Sequence, residues 1–371
     1  MRLDAPMLKR ALKALALPRT YPYPICYAVK LEIVDDVFKP VCRVSASNLK
    51  AHHTIVNVPV LSGHPGEIVV ADRKELLELL IGATKSITIW TEETEDQRTV
   101  CLSYSGDGGI PLDNAFNSVG FPQLPAVEWE TIAVAGADLT EAIKQAIPFA
   151  DKTGDREILT GVQFDIRQDS MRVGAADGVV LYQKLLSVMA KDAGTVTVDA
   201  NTLRKLPEAS IVNLARAEGY LRFSYREATT RKAPLQGELI APLLEGASPD
   251  FDRVISEQVQ PTQEIRLAKC LVDKAPAKSQ LVCTREELRV EQWDDRQDKV
   301  ILTEPLGDRY HWYLPYGTIP VEEIRLYADD LRKAKPVGNG PAYTIGVCDP
   351  KRAASLQSAF TTVVIMPVTV R

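Results

Sequence analysis

The chain has 371 residues, 45% of them hydrophobic and 25% charged, with a formal net charge of −5 at pH 7. These are ordinary globular proportions, and the length is too great for a single compact core, so several domains are expected. No early apolar run is long enough for a signal peptide or a membrane span, which makes the cytoplasm the expected location.

An amphipathic helix is predicted over residues 7–15, followed by an alternating strand pair over 29–46. A second helix over 71–81 follows the β run GEIVV. The same four-part unit then recurs, with a helix over 138–149, a strand pair over 162–175, the β run GTVTV and a helix over 200–206. A third copy reads as a helix over 263–273, a strand pair over 280–292, the β run YGTIPV and a helix over 326–334. One unit written three times, at about 124 residues per copy, predicts a closed assembly of equivalent α+β domains.

The six cysteines (Cys26, Cys42, Cys101, Cys270, Cys283 and Cys348) stand singly in apolar runs with no CxxC, and read as small buried hydrophobes in a reducing compartment. No metal site is expected: His52 and His53 are strand neighbours facing opposite ways, His64 sits in a turn, and His311 adjoins Trp312. Residues 105–109 (SGDGG) read as a hairpin turn, and no cofactor motif is present. Ser47-Asn48-Leu49-Lys50 fits SxxK and Lys152-Thr153-Gly154 fits KTG, as in penicillin-binding serine acyltransferases. The S-x-N element between them is missing, Ser47 follows a strand, and the KTG stretch reads as a loop. The chain is therefore not expected to be an enzyme.

Every predicted helix carries cations. They are Lys9, Arg10 and Lys13 with Arg19 just beyond, then Arg73 and Lys74, Lys144, Arg204 and Lys205, Arg266 and Lys269, and Arg332 and Lys333. A single such helix is an ordinary solvated face. Six in equivalent positions of a closing repeat would line one hole with positive charge, inside an acidic exterior, and hold duplex DNA through its phosphates without reading sequence.

Several stretches together are similar to one family. They are Phe121-Pro122-Gln123-Leu124-Pro125, residues 139–164 with Leu159-Thr160-Gly161, Ala176-Asp177-Gly178, and Leu244-Glu245-Gly246 with residues 249–254 (PDFDRV). Val364-Ile365-Met366-Pro367-Val368 closes the series. In order and spacing the chain resembles the bacterial DNA polymerase III beta subunit, the beta sliding clamp, over essentially its full length.

The resemblance implies three clamp domains (1–129, 130–254 and 255–371), helices around a central hole, sheets outside, and a ring closed by head-to-tail homodimerisation. It implies a processivity factor for DNA replication that encircles duplex DNA and docks replicative polymerase and clamp loader subunits through short Leu/Phe-containing motifs. The implied pocket, between the second and third domains, uses Leu159, Ala176, Gly178, Val179, Val180, Leu181, Pro249, Val254, Val364 and Met366. The implied dimer interface uses Leu271 and Val272 with Ile110 and Leu112, although ordinary core packing would account equally well for Leu271 and Val272. Val179-Val180 stands where the family usually has His-Arg, and the tail ends Val-Thr-Val-Arg, which changes the pocket rim. A diverged scaffold of the same fold, binding partners without encircling DNA, is the alternative.

Overall fold

The computed structural model describes residues 1–15, 23–36, 39–93, 98–104, 108–112, 120–123, 126–229, 233–257, 263–284, 286–294, 297–305, 310–313, 323–333, 342–347, 354–357 and 361–365. Among the described residues the α-helices are α1 (Ala5–Ala14), α2 (Arg73–Leu79), α3 (Asp138–Ala146), α4 (Ala200–Leu203), α5 (Phe251–Glu257), α6 (Lys269–Lys274) and α7 (Ala328–Lys333). Among the described residues none is long and apolar enough to cross a membrane.

Local chemistry sets the helix starts. Asp4 Oδ1 accepts from the Met7 amide at 2.8 Å and Pro6 occupies the first turn, so α1 begins two residues before the predicted Met7. Leu8, Ala11 and Leu12 form its buried stripe. Asp199 caps α4 in the same way, through the Thr202 amide at 2.8 Å.

The same order of elements occurs three times: a strand leading into a helix, a run of strands, a second helix, and three closing strands. Pairing repeats with it. The strand before the second helix always joins the first hairpin strand, Gly66–Val70 to Val29–Val34, Gly194–Asp199 to Gly161–Arg167, and Glu323–Tyr327 to Ser279–Thr284. The opening strand always joins the first closing strand.

Two predicted helices are corrected in the third copy. Residues 263–273 were expected to be helical throughout, yet Gln263–Ala268 is a strand and only Lys269–Lys274 is helix. Ile265 and Leu267 are buried while Arg266 between them is exposed, a period of two, and both neighbours of this strand supply antiparallel ladders. Likewise Leu326 and Tyr327 end the strand Glu323–Tyr327, and the helix starts at Ala328. Residues 316–320 and Val321 of the YGTIPV run lie outside the described residues. The helix α5, which sequence periodicity did not single out, spans the expected cut between 254 and 255.

Sheets run across the boundaries between copies. The last strand of the second copy, Gln236–Pro242, pairs with His52–Ser62 of the first, with Ile240 opposite His52. The last strand of the third copy, Thr361–Ile365, pairs with Val180–Ser187 of the second, with Val364 opposite Leu181. In both cases the recipient is the strand that follows the hairpin. Two strands of these same classes remain with one partner among the described residues: Ile110–Leu112, the last of the first copy, and Gln297–Pro305, which follows the hairpin of the third.

The joint between the first and second copies is also polar. His53 Nε2 lies 2.6 Å from the Tyr225 hydroxyl, Arg10 pairs with Glu227 at 2.5 Å, and Asn57 Nδ2 donates to the Pro234 carbonyl at 2.8 Å. Burial, reinforced by the charge of Arg73, pushes His53 down from 6.5 to about 4.

Candidate functional site

Ala176, Leu181, Phe251 and Val364 form a small apolar cluster separate from the main core, with Val254 and Ile255 packed half-buried against it. The register explains how it assembles. Ala176 stands opposite Leu181 across the turn at 177–179 that leads out of the second copy's hairpin, and Leu181 stands opposite Val364 of the third, so three strands place one row of apolar side chains on one face. Phe251, the first residue of α5, covers the row, and its ring lies so close to Gly174 that any Cβ there would collide with it. Thus Ala176, Leu181, Val254 and Val364 of the predicted pocket are brought together. Phe251 and Ile255 were not anticipated as members; residues 249–254 were quoted as a motif, but nothing in its pattern marks which side chain turns inward.

The other predicted pocket residues separate. Val180 is 1% exposed and belongs to the main core, because successive strand residues face opposite ways; it supports the rim from behind and does not line it. Val179 is 47% exposed at the hairpin tip beside Gly178, whose φ of 91° suits glycine. Leu159 and Pro249 are half-buried outside the cluster, and Met366 lies outside the described residues.

The hairpin tip is shaped by one carboxylate. Asp177 Oδ1 accepts from the Val179 amide at 3.0 Å and the Val180 amide at 2.8 Å, and Oδ2 accepts from Lys333 Nζ of the third copy at 2.9 Å. Lys333 also pairs with Asp330 at 3.2 Å. Burial works against its charge, but Asp177 and Asp330 outweigh it and raise the ammonium above its usual value.

The predicted DNA-facing cations divide by what they touch. Lys13 and Arg204 are exposed, Lys9 and Lys205 half-exposed, and Lys74 is exposed with Glu78 3.7 Å away. Arg204 and Lys205 border a cleft of about 770 Å³ between the first and second copies, together with Lys50. Lys144 pairs with Glu208 at 2.7 Å. Several others make contacts within the chain, where the sequence reading had each of the six helices present a cation to one hole. Arg10 ties the first copy to Glu227 of the second, and Arg73 donates to the Leu12 carbonyl at 3.0 Å, holding α2 to the end of α1. Arg332 does the same in the third copy, donating to the Val272 carbonyl from Nε at 3.1 Å and from Nη2 at 2.9 Å, and to the Ala275 carbonyl. Lys269 lies over the Tyr343 ring, 5.4 Å from its centroid. Arg266 is exposed, but on a strand. Arg19 lies outside the described residues.

Of the predicted interface residues, Leu271 and Val272 are 2% and 0% exposed within the single chain. They belong to its own core, so burial between subunits has nothing further to gain from them. Leu112 is also buried, and Ile110 on the edge strand is 38% exposed. The acyltransferase-like fragments serve turns: Ser47 is buried, its hydroxyl donating to the Ala51 carbonyl at 3.3 Å, and Thr153 donates its amide to Asp151 at 2.9 Å. Among the described residues no group of three or more His, Cys, Asp or Glu is placed to hold a metal ion.

No protein-family model matches the sequence, and no curated protein matches it. Solved structures do. The beta subunit from DNA polymerase of Streptococcus pyogenes is 18% identical, with a TM-score of 0.80 over 100% of this chain and 99% of that one. The DNA polymerase III subunit beta from Pseudomonas aeruginosa is 15% identical, with a TM-score of 0.80 over 100% of both chains. The DNA polymerase sliding clamp from Bacillus subtilis is 16% identical, with a TM-score of 0.78 over 100% of this chain and 99% of that one. From its first copy to its third, the chain has the fold of bacterial DNA polymerase III beta subunits, the sliding-clamp fold.

Proposed function

We propose that the protein is a DNA sliding clamp, a processivity factor that encircles duplex DNA and tethers a replicative polymerase. The observation that carries this reading is the pair of strands that have one partner each among the described residues. Within the chain, the last strand of one copy always joins the post-hairpin strand of the copy before it. Ile110–Leu112 and Gln297–Pro305 are the two strands that would continue this rule into a neighbouring molecule. Pairing them head to tail is a heterologous contact, and with two chains of three copies it closes into a six-domain ring with no open edge at those positions. The domains are taken as 1–129, 130–254 and 255–371, and the expected location is the cytoplasm.

A closed ring holds DNA by topology, so no catalytic group is required, and weak phosphate contacts favour sliding. Lys9, Lys13, Lys74, Arg204 and Lys205 are the cations best suited to that role, since they are at least partly exposed and do not brace one helix against another. The cluster of Ala176, Leu181, Phe251 and Val364 supports docking of short Leu/Phe-bearing segments from the polymerase and the clamp loader.

Small-angle X-ray scattering across a concentration series tests the ring. The expected particle has twice the 40.9 kDa chain mass and a hollow, flat distance distribution. A monomer at every concentration would refute ring closure and leave a partner-binding scaffold of the same fold.

A further inference from the structure

A second cavity, of about 500 Å³, opens on the outer face of the second copy's sheet, beneath the segment that leads into α5. One wall is the strand Gly161–Arg167, whose Gln163, Asp165 and Arg167 point to this side while Val162, Phe164 and Ile166 fill the core on the other. The opposite wall is Pro249 to Asp252, and Phe251 is therefore shared between this cavity and the apolar docking cluster.

The wall chemistry selects a charge. Three carboxylates, Asp165, Asp250 and Asp252, stand against two guanidiniums, Arg167 and Arg172, for a net charge of −1. Both guanidiniums are already engaged by Asp252, Arg167 at 2.7 Å, and Arg167 also by Asp165 at 2.9 Å, so an incoming anion would have to displace a carboxylate. Asp250 spends one oxygen on the Arg253 amide at 2.9 Å. Gln163 is only 8% exposed, and its Oε1 is buried with no hydrogen-bond partner. A buried acceptor without a donor is costly, and a ligand bringing N–H groups removes that cost.

We infer that this cavity receives a cationic side chain, Lys or Arg, from the same partner segment whose Leu and Phe residues occupy the apolar cluster, with Gln163 Oε1 and Asp250 accepting from it. This rests on the docking reading above and adds to it a charge requirement on the partner. Its geometry asks nothing of the ring.

The test measures fluorescence anisotropy of fluorescein-labelled Ala-Leu-Ala-Leu-Phe peptides on the full chain, with Arg or Ala added at either end. One Arg peptide is expected to bind about fivefold tighter than its Ala counterpart, the size of a single partly shielded ion pair. The gain should vanish in Gln163→Leu and in Asp250→Asn, the latter keeping an oxygen for the Arg253 amide. Equal affinities on the unaltered chain, or a gain that survives both substitutions, overturns the inference. If no peptide binds, the docking reading fails by itself, and the cavity is then decided with N-acetyl-arginine methylamide at millimolar concentrations. A saturable shift of the Gln163 side-chain amide in NMR, lost in Asp250→Asn, supports the site; no shift overturns it.

Discussion

His53 makes the joint between the first two copies sensitive to acid, by an amount that can be worked out. Its ring is 0% exposed and touches the Tyr225 hydroxyl, and its pKa is held at about 4 against 6.5 for a free side chain. Because the folded value is depressed, the unfolded chain takes up the proton first as pH falls. The full contribution is present above about pH 6.5 and is lost progressively between there and about pH 4. From pH 7 to pH 5 the loss is roughly 2 kcal/mol for this one group, since each unit of pKa difference is worth 1.36 kcal/mol. The assay is urea unfolding at fixed protein concentration, at both pH values, for the unaltered chain and for His53→Gln, which keeps a side chain able to reach Tyr225. Carboxylates and His52 titrate in both proteins, so the difference between the two pH dependences isolates His53. The variant should lose about 2 kcal/mol less on acidification. Identical pH dependences would refute the assignment of a buried, neutral His53.

Three further variants separate ring closure from core packing and DNA binding from bracing. Ile110→Asp, on the exposed edge strand, should lower the sedimentation-equilibrium mass from twice 40.9 kDa to 40.9 kDa while leaving the chain's thermal transition in place; a persistent dimer argues against pairing at this edge. Arg204→Ala with Lys205→Ala should flatten the salt dependence of DNA binding, by about 0.9 in logarithmic slope for each phosphate no longer neutralised. Arg332→Ala should leave that slope unchanged and instead cost about 1–3 kcal/mol of stability, because it strips donors from the Val272 and Ala275 carbonyls. The reverse pattern in these two variants would return Arg332 to the DNA-facing set.

The threefold repeat was legible in the chain because helix and strand periodicities are local: residues 7–15 and 138–149 announce their helices through their own spacing, and the hairpins at 29–46, 162–175 and 280–292 through alternation across a polar turn. The four apolar residues that do meet, Ala176, Leu181, Val254 and Val364, were named through resemblance, which carries tertiary information that periodicity lacks. Residues 263–268 misled because a short run of mixed polarity fits either period, and only the neighbouring strands, which supply two ladders of hydrogen bonds, make it a strand. The same limit applied to the cations. Charge and approximate helix face can be read along the chain, but whether Arg332 meets a phosphate or the carbonyls of α6 depends on which helix end lies beside it. Leu271 and Val272 belong to the core, and Ile110 stays partly exposed, for a similar reason: burial is a property of surroundings assembled from distant parts of the chain. The sequence by itself therefore determined the repeat, the hairpins, most of the helices and the overall charge. Tertiary structure alone decided which strands keep a single partner among the described residues, which cations contact other parts of the chain, and that Phe251 would roof the apolar cluster, because each depends on residues far apart in sequence coming together.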